Sequence, residues 1–306
     1  MAKTKTTANG ADTSNAENGA YLRLDVQKTY KLYIGGKFPR TESGRFYKAE
    51  GPDGKLIANL CQASRKDFRD AVVVARNAQP GWAARSAYNR GQIIYRMAEM
   101  LEGRKTQFEA ELIALGHKPA EAQTEVETTI DRLVYYAGWT DKYSQIFSSV
   151  NPVDSSHFNF SVPEPMGVIS ILAPEKPGFL GLISAIIPAV AGGNTVIVLA
   201  SNTAATAAIS FAEVLQTSDL PGGVINILTG FQKELISHFS SHKDVNALIY
   251  CDPEQAILTS IRERAAENLK RVLTWNPEDW FSKEAQGPYF IMDTQEIKTT
   301  WHPVGQ

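Results

Sequence analysis

The chain has 306 residues, a formal net charge of −2 and a hydrophobic fraction of 43%, which is typical of a globular protein with one or two domains. A charge this close to zero argues against a nucleic-acid partner. The two cysteines, Cys61 and Cys251, are too few for a disulfide scaffold or a cysteine-rich metal site. The longest apolar stretch, residues 179–190, is too short to span a bilayer, and the N-terminus lacks the apolar core of a secretory signal. We therefore expect no membrane partner and a cytoplasmic, reducing location.

The first half of the chain begins with a polar tail and two short extended segments. Residues 1–20 are too polar to pack against a core, so we predict a disordered tail. The segment KLYIGGKF, which begins at Lys31, is typical of a short hairpin with Gly35 and Gly36 as its turn. A second strand is predicted at about residues 56–61.

Amphipathic helical stretches follow. The first begins at about Lys66. The second follows Ser86, a suitable N-cap residue, and its apolar stripe continues to a stop at Gly116. Another long helix is predicted to cover about residues 121–147. Apolar side chains recur on one face of each stretch, which indicates core packing rather than a binding site.

The second half alternates short apolar runs with segments of helical length. This alternation predicts right-handed strand–helix–strand units and a parallel sheet, and the runs are continuous because helices cover both faces of such a sheet. The predicted fold is therefore α/β, a Rossmann-like parallel sheet with flanking helices. The expected strands are residues 168–172, 195–199, 224–228 and 247–250, and the expected helices are residues 179–190, 204–215 and 233–239.

Two segments alternate like strands of a different sheet. In residues 157–162, Phe158, Phe160 and Val162 would share one face while polar side chains take the other. Residues 296–301 alternate in part and are rich in residues that favour strands. We therefore expect a small antiparallel sheet beside the main one.

The sequence contains no common catalytic motif. There is no G-x-G-x-x-G, Walker A or G-x-S-x-G pattern. His238 and His242 have helical spacing but lack a third metal ligand, so a surface turn is the simpler interpretation. Cys61 lies in an apolar strand, and the carboxylate of Asp252 should raise the pKa of Cys251. We expect neither a catalytic residue nor a metal site.

Ligands of an open parallel sheet bind beyond the carboxyl ends of its strands. In this chain the segments that follow those ends are residues 173–176, 200–202, 229–230 and 251–252. This strand-end crevice is therefore the predicted location of any binding site.

The same region carries segments that resemble one protein family. Residues 188–197, PAVAGGNTVI, resemble the P-A-L-A-x-G-N-T-V-V segment of aldehyde dehydrogenases, and residues 220–230, LPGGVINILTG, resemble their L-P-x-G-V-x-N-V-V-T-G segment. LYIGGKF, the KPAEAQTEV helix and residues 268–272, NLKRV, are similar to further family segments in the same order. The resemblance covers about residues 31–272 and is specific, because several independent motifs occur in sequence.

This resemblance implies a dinucleotide-binding domain, a catalytic domain and a small strand-built oligomerisation element. Members of the family oxidise aldehydes to acids with NAD or NADP. A cysteine attacks the aldehyde, and the thiohemiacetal gives hydride to the cofactor. This chemistry needs a thiolate, oxyanion donors, a base and a held nicotinamide.

The chain departs from the family at its functional positions. Lys176 stands where the family has its oxyanion-binding asparagine, and a flexible lysine is a poor substitute for a fixed amide. Leu199 stands where a lysine would grip the adenosine ribose, and Trp275 stands at the catalytic glutamate position. The resemblance thus leaves a vestigial cofactor crevice, made of Pro174, Lys176, Leu199, Ser201 and Gly230.

Three more departures oppose a bound dinucleotide. Asn202 replaces the ribose-binding glutamate, Asp252 adds negative charge beside the expected pyrophosphate, and Pro253 lacks a backbone N–H. We therefore expect no cofactor in this chain, and NAD or NADP in a partner.

The family's catalytic domain, with its G-Q-x-C nucleophile, is missing after residue 272. A short stretch precedes residues 296–303, which resemble the family's terminal V-K-T-V-W strand. The expected organisation is a tail (1–20), a dinucleotide-binding-type α/β domain (21–156 and 163–272), oligomerisation strands (157–162 and 288–306) and a linker that replaces the catalytic domain (273–287).

The chain has the strands that join the oligomer but lacks the catalytic domain that would accept them, so we expect it to need a partner. We expect a truncated, non-catalytic pseudoenzyme, similar to the second module of two-module aldehyde dehydrogenases, that forms a hetero-oligomer with a full-length aldehyde dehydrogenase by strand addition. The alternative is a nucleotide-binding regulatory subunit of the same complex. The expected interface residues are Phe158, Phe160, Val162, Lys298 and Trp301.

Overall fold

The computed structural model describes residues 26–252 and 254–305, so the predicted tail and Pro253 lie outside the described residues. The strands, in chain order, are β1 (Thr29–Tyr30), β2 (Phe46–Glu50), β3 (Leu56–Cys61), β4 (Ser149–Asn151), β5 (His157–Pro165), β6 (Val168–Leu172), β7 (Thr195–Leu199), β8 (Ile225–Leu228), β9 (Ala247–Tyr250), β10 (Arg271–Thr274) and β11 (Gln295–Pro303). The helices are α1 (Arg65–Ala83), α2 (Ala87–Glu102), α3 (Lys105–Ala114), α4 (Pro119–Trp139), α5 (Tyr143–Phe147), α6 (Gly178–Ala191), α7 (Ala205–Gln216), α8 (Gln232–Ser241), α9 (Gln255–Ala265) and α10 (Pro288–Met292). Among the described residues, no helix is both long and apolar enough to cross a membrane.

Five parallel strands form the central sheet, in the order β10-β9-β6-β7-β8. β6, β7 and β9 have the predicted bounds, and β8 begins one residue later than predicted. Every residue of these four strands is buried, because α1, α8 and α9 pack on one face while α6 and α7 pack on the other. The predicted α/β class with a parallel sheet is therefore confirmed.

The helices of the first half begin close to the predicted residues, but two of the predicted helices are divided. Ser86 is the N-cap of α2, since its Oγ accepts a hydrogen bond from the backbone N–H of Asn89 at 3.2 Å. The apolar stripe that ends at Gly116 belongs to two helices, α2 and α3, because the chain turns at Gly103 and Arg104. The turn directs the Arg104 guanidinium to Glu213 of α7 at 2.5 Å. The single long helix predicted for residues 121–147 is likewise divided, into α4 and α5.

Two smaller sheets flank the central one. β1, β3 and β2 form the first, and β11, β5 and β4 form the second, which is antiparallel. β5 and β11 pair over nine residues, from Gln295 opposite Pro165 to Pro303 opposite His157, so both strands extend beyond the alternating segments 157–162 and 296–301. β4 was not predicted, because three residues are too few to show alternation. Among the described residues, the outer edge of β11 has no neighbouring strand.

Residues 275–294, which we call the strap, connect β10 to β11. The strand expected from residue 288 begins only at Gln295, and residues 288–292 form α10, because Pro288 occupies the first helical position, where a missing N–H costs nothing. The expected linker from residue 273 is also shorter, since residues 273–274 belong to β10. The strap is packed against the domain, with Trp275, Trp280 and Ile291 buried in the core.

Candidate functional site

The strand-end crevice is closed. Leu199, Gly230 and Gln232 line a cavity of about 10 Å³ there, which holds no more than one water molecule. Glu175 lies beside it, where its Oε2 accepts a hydrogen bond from Ser201 Oγ at 2.8 Å and its carbonyl accepts one from Thr203 Oγ1 at 2.5 Å. The space enclosed at the strand ends is therefore much smaller than a nucleotide.

The structure brings together only part of the predicted cofactor set. Leu199 and Gly230 line the same small cavity, and Ser201 is buried and bonded to Glu175. Pro174 is buried, whereas Lys176 is exposed and lines a different cavity. Among the hydrogen bonds and ion pairs of the described residues, none involves the Lys176 ammonium, so no contact fixes it in place of an oxyanion donor.

The charges at the strand ends oppose an anion. The backbone N–H of Glu175 lies 3.4 Å from Asp252 Oδ1, which brings two acidic residues to the ends of β6 and β9. Burial raises the pKa of Asp252; the hydrogen bond from the Glu175 backbone opposes this rise, and the carboxylates of Glu175 and Glu254 add to it. Because a pyrophosphate carries negative charge, these carboxylates would repel it.

Neither cysteine is suited to nucleophilic attack. Cys61 and Cys251 are both free and buried. Burial raises the pKa of the Cys251 thiol well above its ordinary value, and Asp252 adds to the effect. The prediction that Asp252 raises the pKa of Cys251 is therefore confirmed in direction, although burial is the larger cause.

A larger cavity, of about 870 Å³, lies between the start of α4, Lys176 and the strap. Trp280 and Phe281 of the strap form one wall. On the opposite wall, the buried Glu125 caps α6, since its Oε1 accepts hydrogen bonds from the backbone N–H groups of Phe179 at 2.8 Å and Leu180 at 3.0 Å. The sequence pattern does not single out Glu125, which is an acidic residue within an apolar helical stripe.

A histidine on the same wall is fully engaged. His117 Nε2 lies 3.4 Å from Glu125 Oε2, and His117 Nδ1 lies 3.0 Å from the carbonyl oxygen of Leu112. Both ring nitrogens therefore face protein partners. The polar groups of this wall hold α3, α4 and α6 together.

The predicted interface residues lie on two faces of the antiparallel sheet. Lys298 is opposite Val162 in the register, so it shares a face with Phe158 and Phe160, which we call the phenylalanine face. Trp301 is opposite Asn159 and lies on the other face, the tryptophan face. Phe158 is 45% exposed and Trp301 is 58% exposed.

A polar ladder crosses the tryptophan face. Asn151 Nδ2 donates to Asn159 Oδ1 at 2.6 Å and to Ser161 Oγ at 2.9 Å, and Ser161 Oγ is 2.8 Å from Thr299 Oγ1. Asn159 is 2% exposed, yet its Nδ2 has no hydrogen-bond partner among the described residues. The ladder connects all three strands and fixes their register.

Comparison with known proteins identifies relatives that are longer than this chain. The family model described as the aldehyde dehydrogenase family matches residues 38–274. Aldehyde dehydrogenase, cytosolic 1, of Elephantulus edwardii is 32% identical, over 81% of this chain and 50% of that protein. Cytosolic 10-formyltetrahydrofolate dehydrogenase of Mus musculus is 28% identical, over 83% of this chain and 29% of that protein. The chain spans about half the length, or less, of these curated relatives.

Solved structures agree with the fold. PnpE from Pseudomonas sp. WBC-3 is 26% identical and has a TM-score of 0.76, over 81% of this chain and 51% of that chain. The NAD+ complex of an aldehyde dehydrogenase from Bacillus cereus, at 23% identity, has the same fold with a TM-score of 0.77, over 81% of this chain and 51% of that chain. The strap and β11 follow the last residue that the family model matches. From the match over residues 38–274 and from the fold, the chain belongs to the aldehyde dehydrogenase family.

Proposed function

We propose that this chain is a non-catalytic subunit that assembles with a full-length aldehyde dehydrogenase, which oxidises an aldehyde to an acid. The observation that carries the proposal is the free edge of β11, nine residues long and exposed at every position after Gln295. Such an edge presents unpaired N–H and C=O groups that add readily to another strand. A strand added there would also contact the exposed side chain of Trp301.

The state of the cysteines and of the crevice supports a non-catalytic role. Cys251 is buried with a raised pKa, which disfavours the thiolate needed for attack on an aldehyde. PnpE has been solved in complex with nicotinamide adenine dinucleotide, whereas the crevice of this chain encloses little space and has the carboxylates of Glu175 and Asp252 at its edge. In the proposed assembly, the partner therefore holds the NAD or NADP and performs the chemistry.

The first experiment is a pull-down of the tagged chain from its native source, followed by the native mass of the eluted species. A defined complex with a full-length aldehyde dehydrogenase is the expected result, and its mass gives the stoichiometry. A monomer or homodimer that does not bind an aldehyde dehydrogenase would refute the proposal. Capture of an unrelated protein would count against it.

Point variants then test the surface. Trp301→Ala and Phe160→Asp should each weaken partner binding at least tenfold, since aromatic anchors contribute much of the energy at such interfaces. Tyr88→Ala is the matched control, because Tyr88 is 65% exposed on α2, outside the antiparallel sheet. Lys176→Ala should leave the steady-state rate of the complex unchanged. If neither Trp301→Ala nor Phe160→Asp alters assembly, the interface lies elsewhere.

The two aromatic variants also distinguish edge pairing from docking on a face. Phe160 and Trp301 point to opposite faces of the sheet. A partner that covers one face would respond to only one of the two variants. A strand added along β11 would respond more strongly to Trp301→Ala, because Trp301 is on β11, whereas Phe160 is on β5, one strand further from the added strand.

A further inference from the structure

The strap contains little regular structure, and a few buried side chains anchor it to the domain although residues such as Asn276, Glu278 and Phe281 are exposed. Between β10 and β11 it has one short helix, α10, and one turn of 3-10 helix at Lys283–Ala285. Trp275 and Trp280 are buried, and so are Ala285 and Ile291. Loops usually run over the surface, where water can bind their backbone. The buried backbone polar groups of the strap therefore need hydrogen-bond partners within the protein.

A single buried arginine binds the middle of the strap. Arg132 of α4 is 2% exposed. Its Nη1 donates to the Ala285 carbonyl at 2.7 Å and to Ser184 Oγ of α6 at 2.8 Å, and its Nη2 donates to the Trp280 carbonyl at 2.9 Å. The guanidinium thus links two helices to two points of the strap that lie five residues apart.

The partners of Arg132 are unusual for a buried charge. None of the ion pairs among the described residues includes Arg132, and its Nε has no hydrogen-bond partner there. Burial lowers the pKa of the guanidinium. A buried cation without a carboxylate is costly, and here the strap carbonyls are its main acceptors. Arginine suits this task because its planar fork reaches two carbonyls at once.

Both ends of the strap are also held. Trp275 Nε1 donates to Asp293 Oδ2 at 3.0 Å, which ties the first strap residue to one near its end. Asn194 Nδ2 donates to the Thr294 carbonyl at 3.1 Å, and Arg271 Nη1 donates to the Gln295 carbonyl at 2.9 Å. These contacts fix the position at which β11 starts.

We propose that the strap closes over the face formed by α4 and α6 of this chain and holds β11 beside β5. In this closure, Arg132 is the positioning residue that holds the strap in place. The family model ends at residue 274, and the strap begins at the next residue. The segment beyond the matched region therefore folds back onto the same domain. With the helical face covered, the outer edge of β11 remains without a neighbouring strand among the described residues. The inference does not depend on the proposed assembly with a partner.

Hydrogen exchange measured by mass spectrometry on the full chain tests this closure. Arg132→Met has a similar length but no donor, so it leaves the Trp280 and Ala285 carbonyls unpaired. We expect amides of the strap and β11 to exchange at least tenfold faster than in the wild type, and amides of β6 and β7 to stay within about twofold. Arg132→Lys should give an intermediate increase.

Arg90→Met is the matched control. Arg90 is also buried, but it donates to the carbonyls of Ala83, Arg85 and Ala191, all outside the strap. Its loss should not concentrate faster exchange in the strap. The proposal is overturned if Arg132→Met leaves strap exchange unchanged, or if it accelerates the strap and the central sheet by the same factor.

Limited proteolysis of the wild-type chain tests closure even if the variants do not fold. Residues 276–287 should resist cleavage, although they form no long helix or strand. The exposed turn at residues 52–55 supplies the internal reference. Cleavage of the strap as fast as this turn would show that the strap is open and the inference wrong.

Discussion

The buried Lys270 should make the free energy of unfolding depend on pH, and its surroundings determine the size of this effect. The residue is 7% exposed, and its Nζ donates to the carbonyls of His242 at 2.9 Å and Phe239 at 3.3 Å, at the end of α8. No ion pair among the described residues includes it. Burial lowers the pKa of Lys270 from 10.5 to about 8. Such a difference destabilises the protonated native state by about 3 kcal/mol.

The sign of the pH dependence follows from proton counts. Below pH 8 Lys270 is protonated in both the folded and the unfolded chain, so the full destabilisation of the folded chain is present. Above pH 8 the folded chain releases its proton first, so the unfolded chain binds more protons and the free energy of unfolding rises with pH. The contribution of Lys270 should grow by about 1 kcal/mol between pH 8 and pH 9.

The measurement compares the wild type with Lys270→Met by chemical denaturation at pH 7, 8 and 9 and constant ionic strength. Cys251 and the buried tyrosines act in the opposite direction, since their raised pKa values favour protonation in the folded chain, but they cancel in the difference between the two proteins. Lys243→Met, at an exposed lysine, is the control. A difference between wild type and Lys270→Met that stays constant across this range would refute the reasoning.

Two other predictions concern the α6 cap and the strand-end crevice. Glu125→Gln should lower the free energy of unfolding by about 1–2 kcal/mol, because a neutral amide replaces a charged acceptor at the α6 N-terminus. Thermal denaturation beside the exposed Glu127→Gln checks this, and equal losses in both variants would contradict it. Calorimetric titration with NAD and NADP should give no heat at millimolar cofactor, since the crevice is closed and acidic. Saturable binding would instead favour the regulatory, nucleotide-binding alternative.

The central sheet was predictable because its strands depend on local composition. The runs 168–172, 195–199 and 247–250 are apolar except for Ser170 and Thr195, and the structure has strands with those bounds. Helices on both faces remove the need for alternation, so the strands occur as continuous runs. The Ser86 cap was predictable for a similar reason, since an N-cap is a contact within four residues.

Other features depend on contacts between distant parts of the chain. The break between α2 and α3 directs Arg104 to Glu213, which lies 109 residues away. Arg132 resembles any polar residue of an amphipathic helix, and only the strap carbonyls explain its burial. Helical periodicity identifies which face of a helix is buried, but it does not reveal which segment covers that face.

For the crevice too, the position could be predicted from the sequence, but the conformation could not. Its position followed from the order of strands and helices, as the ends of parallel strands meet at one edge. Its closure depends on Glu175, whose side chain bonds Ser201 across the gap between β6 and β7. An exposed glutamate after a strand has no special pattern in the sequence, so the closed state could not be predicted.

The strap and the β11 edge are parts of one continuous segment, and this continuity constrains how a partner binds. The strap buries two tryptophans against the domain, and burial of such side chains offsets the entropy lost on ordering a loop. The same ordering fixes β11 against β5 over nine residue pairs. A partner strand therefore meets an edge that is already formed, so little further ordering opposes its addition. If the strap were loosened, binding at β11 should weaken even though no interface residue had changed.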